Sequence, residues 1–521
     1  MKPIAFLLGA ACLIAADRSP EAQAWWSHVE SLASDAMEGR RPGTPGYNKA
    51  AEYVAARFEQ MGLIPGGTQG GYAQPVAMET RVLDEPASSL EFVVDGNPRK
   101  IKLGEEANLN IRIDRPGKVD AEVVFIGHGL KIPEANIDDL AGVDLKGKIA
   151  FYLSGAPSSL PAPLAAHAQS VAERWKNLKN AGAIGTMSFS DPRSSDIPWA
   201  RSTLARLNPA MALTEPALID NAGSRISISV NPQHADIFLQ GTGQTAESIL
   251  DLHRANKPLP HFAVKGKIRA STVFSVTPAS SHNVVGVLPG ATKETIVISA
   301  HLDHLGVGGA IKGDALYNGA MDNASGVASV LEVANALSRK KLKRTVVFVA
   351  ATGEEGGLMG TKHFAAHPTV PASDIIANIN LDMYLPIIPL KALTVFGMDE
   401  SNLGPEFAAV AAKFGVKAER DPEPARNLFI RSDQYSFIRR GIPAITFKFH
   451  AYPNTPEADV MNAWRRERYH APSDDLQQPV ELEAAAQFNR IVTTFVEEVA
   501  NRSSRPQWQK ESFFRRYATA D

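Results

Sequence analysis

The chain has 521 residues, more than one ordinary hydrophobic core organises, so two domains or one domain with a large insertion are expected. Its composition, with 44% hydrophobic and 21% charged residues, is typical of a globular protein. The formal net charge of -2 provides no electrostatic field strong enough to indicate nucleic acid or an anionic membrane as a partner, so we expect small or peptidic partners.

The first residues have the pattern of a secretory signal peptide. Lys2 precedes an apolar run from Ile4 to Ala16, which is too short to span a bilayer. We therefore predict that residues 1–16 are removed as a signal peptide and that the chain is exported, to the periplasm or outside the cell. Cleavage after Ala24 is the alternative, but it would cut an amphipathic helix predicted from Ser19 onward.

The only cysteine of the chain, Cys12, lies within this segment. The mature protein would then need no disulfide, which is compatible with an oxidising compartment. Acylation of Cys12 as a lipoprotein anchor is the alternative to a free exported chain. No other apolar run of the sequence reaches membrane-spanning length.

Residues 17–80 are predicted to be helical. Ser19, Pro20 and Glu21 form a typical helix start, and a second helix is expected from about Tyr47 to Met61. A glycine-rich stretch at residues 66–71 ends the helical pattern. We group this segment with the α/β region that follows later in the chain.

Between residues 81 and 267 the sequence changes to short β-rich runs separated by glycine and proline. One helical stretch is predicted near Gln169 to Asn180. The segment contains no tight cluster of histidines and carboxylates, so we interpret it as an inserted small domain that shapes access to a site elsewhere.

From Asn283 onward strands and helices alternate. Helices are expected at 324–337, 359–366, 405–414 and 481–500, between strands such as TIVISA, TVVFVAA and AITFKF. This alternation predicts an α/β fold over residues 268–504, with a mixed, largely parallel central sheet flanked by helices. Residues 505–521 are expected to be a peripheral C-terminal extension.

Five side chains in this region have the chemistry of metal ligands. They are His301, Asp322, Glu355, Asp382 and His470, and Glu354 is a spare carboxylate beside one of them. Two histidines and three carboxylates can hold a pair of divalent ions if one carboxylate bridges. Glu354 would then be free to accept a proton from an activated water, which predicts a two-metal hydrolase.

Three of these groups follow predicted sheet strands directly. His301 follows TIVISA, Glu354 and Glu355 follow TVVFVAATG, and Asp382 ends NINLD. Open α/β sheets place their sites at the carboxyl ends of strands, so these side chains are expected to converge.

Two further aspartates have expected roles. Asp303 lies two residues after His301, where its carboxylate could accept the other ring N–H and fix the tautomer. Asp322 precedes small residues at a helix start, where it could be an N-cap, a bridging ligand, or both. Of the other histidines, none is selected as a ligand: His282, His304, His363, His367 and His450.

Competing catalytic motifs are absent from the sequence. It contains no HExxH, GxSxG, GxGxxG or P-loop, and the mature chain would contain no cysteine nucleophile. These absences argue against serine hydrolases, thiol enzymes, NAD enzymes and kinases.

With these residues assembled, the chain resembles the secreted aminopeptidase family of co-catalytic dizinc metallopeptidases, which has glutamate carboxypeptidase, transferrin receptor and glutaminyl cyclase relatives. The matching stretches are SAHLDHLG, YNGAMDNASGVA, ATGEEGGLMGT, NLDM, RSDQYSFIRRGIPA and YHAPSDDL. Residues 81–267, with VVFIGHG and DLAGVDLKGKIAFYL, look like the protease-associated domain inserted in such enzymes. The fold implied is that of a zinc-dependent exopeptidase.

The resemblance also implies a role for each site residue. One ion would be held by His301 and Asp382 and the other by Glu355 and His470, with Asp322 as the bridge. Glu354 would be the general base and Asp303 would orient its histidine. Tyr469 would polarise the scissile carbonyl, and Arg431 is a substrate contact or a surface arginine.

The function implied is an exported aminopeptidase that hydrolyses N-terminal residues from peptides through a water activated by two zinc ions. Mn²⁺ or Co²⁺ could replace zinc, because three of the five ligands are carboxylates. A carboxypeptidase or a glutaminyl cyclase on the same scaffold, and a catalytically silent receptor-like binding protein, are the alternatives. The sequence leaves the residue preference and the oligomeric state open.

Overall fold

Two sheets organise the chain in the computed structural model of the protein, which describes residues 18–194, 197–426 and 428–518. The predicted signal peptide, including Cys12, lies outside the described residues. The helices are α1 Pro20–Leu32, α2 Pro45–Gln60, α3 Ala162–Gln169, α4 Val171–Asn180, α5 Trp199–Ser202, α6 Asp236–Leu239, α7 Ala246–Arg254, α8 Ser325–Ser338, α9 Met359–Ala366, α10 Leu403–Lys413, α11 Gln434–Ile438, α12 Pro456–Glu467 and α13 Leu482–Asn501. The strands are β1 Ile64–Pro65, β2 Ala73–Leu83, β3 Ser89–Val94, β4 Asn97–Lys100, β5 Ala107–Leu109, β6 Gly117–Ile126, β7 Lys131–Ile132, β8 Ile137–Asp138, β9 Ile149–Leu153, β10 Gly185–Phe189, β11 Ala210–Leu213, β12 Ile226–Val230, β13 His261–Thr272, β14 Phe274–Leu288, β15 Thr292–His301, β16 Gly306–Ile311, β17 Asp314–Tyr317, β18 Arg344–Ala351, β19 Ile375–Asn380, β20 Ala392–Phe396, β21 Lys417–Glu419 and β22 Ala444–Phe449.

The larger sheet has the strand order β11-β2-β14-β18-β15-β19-β22-β20-β21, with β1 paired to β14. Its middle strands β18, β15, β19 and β22 run parallel to one another. Strands β11, β2 and β14 on one side, and β20 against β22 on the other, pair antiparallel. The prediction of a mixed α/β sheet is therefore confirmed.

The prediction that the sheet is largely parallel is correct for its middle strands and for the edge pair β20 and β21, and wrong for the other pairs. Strands β2 and β14 form a long antiparallel pair from Phe274 against Leu83 to Val284 against Ala73. Because β2 enters this sheet before the inserted segment and β14 after it, the two strands meet side by side without a helical crossover, and antiparallel pairing follows.

The smaller sheet has the order β4-β3-β13-β6-β9-β10-β12-β5 and is built from residues between 89 and 272. Strand β11 comes from the same part of the chain but pairs with β2 at the edge of the larger sheet. The chain returns from one sheet to the other where β13 is followed directly by β14. The domain bounds given above stay predictions.

The middle strands of the larger sheet are covered on both faces, which explains their continuous apolar sequences. Ile296 and Ile298 of β15 pack into the core under α1, α2, α8 and α13. Val297 faces the other way and packs in a cluster with Phe364 of α9 and Phe437 of α11. Burial on both faces fixes the register of these strands, and with it the positions of the side chains at their ends.

Helix α1 begins as its sequence predicts, since the Ser19 side chain accepts a hydrogen bond from the Ala22 N–H. Among the residues described, we find no helix with the length and apolar character that crossing a membrane requires.

Candidate metal centre

Three parallel strands deliver the candidate ligands to one edge of the larger sheet. His301 is the last residue of β15, and its backbone lies beside Ala351, the last residue of β18. Glu354 and Glu355 follow β18, and Asp382 follows β19, which pairs with β15 on its other side. The structure therefore brings together the side chains that the sequence places at strand ends.

Asp322 lies in the turn Ala320–Ala324, directly before α8, and its own backbone angles are not helical. Its carboxylate does not cap that helix, because the N-cap position belongs to Ala324 and has no side-chain hydrogen bond. Instead, Oδ1 lies 3.3 Å from His301 Nε2 and Oδ2 lies 3.2 Å from His470 Nε2. Asp322 thus faces both histidines, as a bridging carboxylate would.

Each histidine also contacts a second carboxylate. His301 Nε2 lies 3.2 Å from Asp382 Oδ1, and His470 Nε2 lies 3.1 Å from Glu355 Oε2. All five predicted ligands are thus joined through Asp322 into one continuous cluster.

Asp474 holds the turn that carries Asp322. Its carboxylate accepts the backbone N–H groups of Met321 and Asp322, both at 3.0 Å, and the Gln478 side-chain amide at 2.6 Å. Because Asp474 lies four residues after His470, this buried carboxylate connects the turn that carries Asp322 to the segment that carries His470.

Asp303 makes a different contact from the one expected. His301 Nδ1 lies 3.0 Å from the Asp303 backbone carbonyl and 3.9 Å from its carboxylate. The carboxylate instead accepts the backbone N–H groups of Glu354, at 3.1 Å, and Glu355, at 3.4 Å. Asp303 therefore orients the histidine through its main chain and the two-glutamate loop through its side chain.

His304, which the sequence did not single out, also lies in the cluster. It is buried, with Nδ1 2.8 Å from Glu355 Oε1 and 4.0 Å from Asp322 Oδ2. The sequence feature that could have identified His304 is its position three residues after His301, beyond the end of the same strand. The side chain becomes recognisable only when the turn after β15 is folded.

The adjacent glutamates lie in opposite electrostatic surroundings. Burial and the charges of Asp382 and Glu355 raise the pKa of Glu354 well above its ordinary value. Burial also acts to raise the pKa of Glu355, but the charge of His470 and the close side-chain contacts with His304 and His470 together outweigh it, and the pKa falls to about 2. Glu355 is therefore ionised, as a metal ligand must be, whereas Glu354 has a higher affinity for a proton.

A cavity of about 910 Å³ opens beside the cluster, and Tyr469 and Arg431 line it. The Tyr469 ring packs against the His470 ring with centroids 4.1 Å apart. Burial raises the pKa of Tyr469 to about 12, so its O–H remains a hydrogen-bond donor. The structure thus places all the sequence-predicted site residues around one cavity, except that Asp303 lies behind it.

The smaller sheet contributes a residue to this cavity that the sequence did not indicate. Arg112, between β5 and β6, donates a hydrogen bond from Nη2 to the backbone carbonyl of Glu355 at 3.1 Å. Ser154, Gln169 and Arg174 of the same region also line the cavity. Because this contact spans 243 residues, no local pattern could predict it.

The donor set fits zinc. Two groups of three side chains, one of His301, Asp322 and Asp382 and one of His304, Asp322 and Glu355, each bring ligand atoms within 4.8 Å of one another. His304 Nε2 is buried without a hydrogen-bond partner among the described residues, and His304 Nδ1 and Glu355 Oε1 lie 2.8 Å apart without the angles of a hydrogen bond. Unsatisfied polar atoms at this depth suit an ion, and imidazole with carboxylate is zinc chemistry.

Comparisons with known proteins agree with this geometry. The family model described as "Peptidase family M28" matches residues 283–496. Aminopeptidase YwaD of Bacillus subtilis is 26% identical over 246 residues, which is 45% of this chain and 48% of that protein. A leupeptin-inactivating enzyme of Streptomyces exfoliatus is 30% identical over 34% of this chain and 40% of its own length. The chain thus spans less than half the length of these curated relatives.

Two solved structures share the fold over nearly the whole chain. An aminopeptidase from Aneurinibacillus sp. strain AM-1 has a TM-score of 0.56 and 21% identity, covering 93% of this chain and 95% of that one. A zinc aminopeptidase from Bacillus subtilis has a TM-score of 0.50 and 19% identity, covering 94% and 97%. The cluster lies entirely within residues 283–496, the segment that the model of peptidase family M28 matches.

Proposed function

We propose that the protein is an exported aminopeptidase that hydrolyses N-terminal residues from peptides. The observation that carries this proposal is the continuous cluster of two histidines and three carboxylates, joined through Asp322, beside a cavity large enough for several residues of a peptide. The relatives named above as aminopeptidases support it.

We further propose that the cluster holds two zinc ions, with Mn²⁺ or Co²⁺ as substitutes. His301 and Asp382 would hold one, Glu355 and His470 the other, and Asp322 would be shared. When bound, such ions act as Lewis acids and lower the pKa of a coordinated water towards neutrality. The remaining chemistry belongs to the side chains around them.

Glu354 is assigned the proton transfers. Its carboxylate accepts a proton from the attacking water and returns it to the nitrogen of the leaving amine, so that the two products are a free amino acid and a shortened peptide. The Tyr469 O–H donates a hydrogen bond to the oxygen that gains negative charge as water adds to the scissile carbonyl. The free α-amine of the substrate fits the carboxylates of the cluster, and Arg431 is a proposed peptide contact.

Around this centre we propose residues 17–80 and 268–504 as the catalytic domain, residues 81–267 as a protease-associated insert, and residues 505–521 as an extension. The contact of Arg112 with Glu355 supports a role of the insert in shaping the cavity. Export would follow removal of residues 1–16, with anchoring through Cys12 as the alternative.

A carboxypeptidase is the second candidate, because arginines line the cavity and could bind a terminal carboxylate. They are Arg112, Arg174, Arg426, Arg431, Arg439, Arg440 and Arg465. A glutaminyl cyclase, or a silent binding protein, has no such specific support, since all five ligands are present.

The decisive assay compares one peptide in three forms: free at both ends, acetylated at the N-terminus, and amidated at the C-terminus. The proposal predicts cleavage of the free and amidated forms, no cleavage of the acetylated form, loss of activity with a chelator, and recovery with Zn²⁺. Cleavage of the acetylated but not the amidated form would replace the aminopeptidase with a carboxypeptidase.

A further inference from the structure

A second group of potential metal ligands lies away from the cluster, where α9 packs beside the segment that follows β11. His363 lies in the last turn of α9 and His367 is the residue that follows its end, and the centroids of their rings lie 5.0 Å apart. Glu215, two residues beyond β11, faces them. The three side chains come from two segments that are distant in sequence.

The distances suit convergence on one ion. His367 Nε2 lies 3.0 Å from both carboxylate oxygens of Glu215, and His363 Nδ1 lies 4.0 Å from Oε2. One ligand atom from each residue lies within 4.8 Å of the other two. Donor atoms that surround a zinc ion at bond lengths of about 2.1 Å are themselves separated by about 3.4 Å, which lies within this range.

The surroundings of these three side chains also favour metal coordination over a simple ion pair between them. Imidazole nitrogens are among the commonest metal ligands in proteins. The His363 side chain is 21% exposed and that of His367 is 52% exposed, so water can complete the coordination of an ion.

We propose that Glu215, His363 and His367 form a peripheral site for one borderline divalent ion, with zinc as the expected occupant. Two imidazoles and one carboxylate are borderline ligands, which favour Zn²⁺ over Mg²⁺ or Ca²⁺. The site does not depend on the proposed function, because none of its residues belongs to the catalytic cluster.

An ion there would fasten α9 to the inserted part of the chain. Helix α9 starts four residues after Glu355, and its backbone is already tied to β2 where Gln74 donates to the His367 carbonyl at 2.7 Å. An ion that binds the folded protein but not the unfolded chain stabilises the folded state by mass action. We therefore expect the peripheral ion to stabilise the region that carries the two-glutamate loop.

Metal counting on the full chain tests the site. The protein is stripped with a chelator, reloaded with Zn²⁺, freed of excess ion and analysed for zinc per chain, in wild type, Glu215→Gln, and the double variant His363→Gln with His367→Gln. Both variants are expected to hold one zinc fewer than wild type and to show a smaller rise of Tm on zinc addition. His261→Gln is the matched control, because His261 faces a carboxylate, Asp139 at 3.7 Å, and lies in no such group among the residues that the structure describes.

Equal zinc content in wild type and both variants would overturn the site. Because the altered side chains are partly exposed, the variants should fold, and equal Tm values in chelator verify this. Peptidase activity measured on the same samples separates the two proposals: an inactive wild type refutes the aminopeptidase, whereas only the difference in zinc content bears on the peripheral site.

Discussion

At the scale of single residues, His304 and His470 both approach Glu355 and Asp322, and only one of the two is expected to be a metal ligand. His470 Nε2 lies 3.2 Å from Asp322 and 3.1 Å from Glu355, whereas His304 approaches Glu355 at 2.8 Å but Asp322 only at 4.0 Å. His470 also lines the cavity. These distances favour His470 as the ligand and His304 as the residue that positions Glu355.

Substitution of each histidine separates these roles. We expect His470→Ala to lose one zinc per chain and nearly all hydrolysis. His304→Ala should keep both ions at saturating zinc and bind the second about 10-fold to 100-fold more weakly, as expected when a side chain that orients a ligand is removed. Zinc titration monitored by metal analysis measures both. The reverse pattern would make His304 the ligand.

At the scale of elements, the turn before α8 depends on Asp474. We expect Asp474→Ala to lower the free energy of unfolding by about 2 kcal/mol, because two buried backbone N–H groups lose a charged acceptor. Zinc affinity should fall as well, since Asp322 is carried by the same turn. Chemical denaturation of the chelated protein measures the first effect. Asp475→Ala, at a partly exposed position, is the control, and equal stability of the two variants would contradict this role.

The loop between β5 and β6 gives a second prediction at this scale. Arg112 reaches the cavity from the smaller sheet, so we expect Arg112→Ala to raise KM for short peptides several-fold while kcat changes little. The exposed Arg115→Ala, in the same loop, is the control. An unchanged KM in Arg112→Ala would show that the insert does not contribute to peptide binding through this residue.

For the whole molecule, the buried side chain of His128 is expected to make the free energy of unfolding depend on pH. Burial lowers the pKa of His128 to about 4, and its Nδ1 lies 3.1 Å from the Leu153 carbonyl. The ordinary pKa is about 6.5, so between these values the unfolded chain binds a proton that the folded chain does not. Stability should therefore fall by up to about 3 kcal/mol as the pH decreases from 6.5 to 4.

Denaturant unfolding at several pH values checks this expectation. His128→Gln, which can still donate to the Leu153 carbonyl, should show a flatter profile over the same window. His261→Gln on the exposed surface of β13 is the control and should keep the wild-type profile. A wild-type slope in His128→Gln would contradict the assignment to His128.

Much of this architecture follows from local sequence. The predicted limits of α9 match the structure, the Ser19 cap forms, and three candidate ligands, His301, Glu355 and Asp382, follow strands whose apolar sequences reflect burial on both faces. Other features depend on contacts between distant segments. The short strand β11 joins the larger sheet through β2, and Arg112 reaches Glu355 across two sheets, so no periodicity within either segment encodes these contacts.

The central claim is that Glu354 moves the proton and Glu355 holds a metal ion, and a comparison of Glu354→Gln with Glu355→Gln tests it most directly. Peptide hydrolysis and zinc content are measured on the same preparations. We predict that Glu354→Gln lowers kcat by about 100-fold or more while its zinc content equals that of wild type, and that Glu355→Gln loses zinc together with activity. Wild-type activity in Glu354→Gln, or loss of its zinc, would contradict the account.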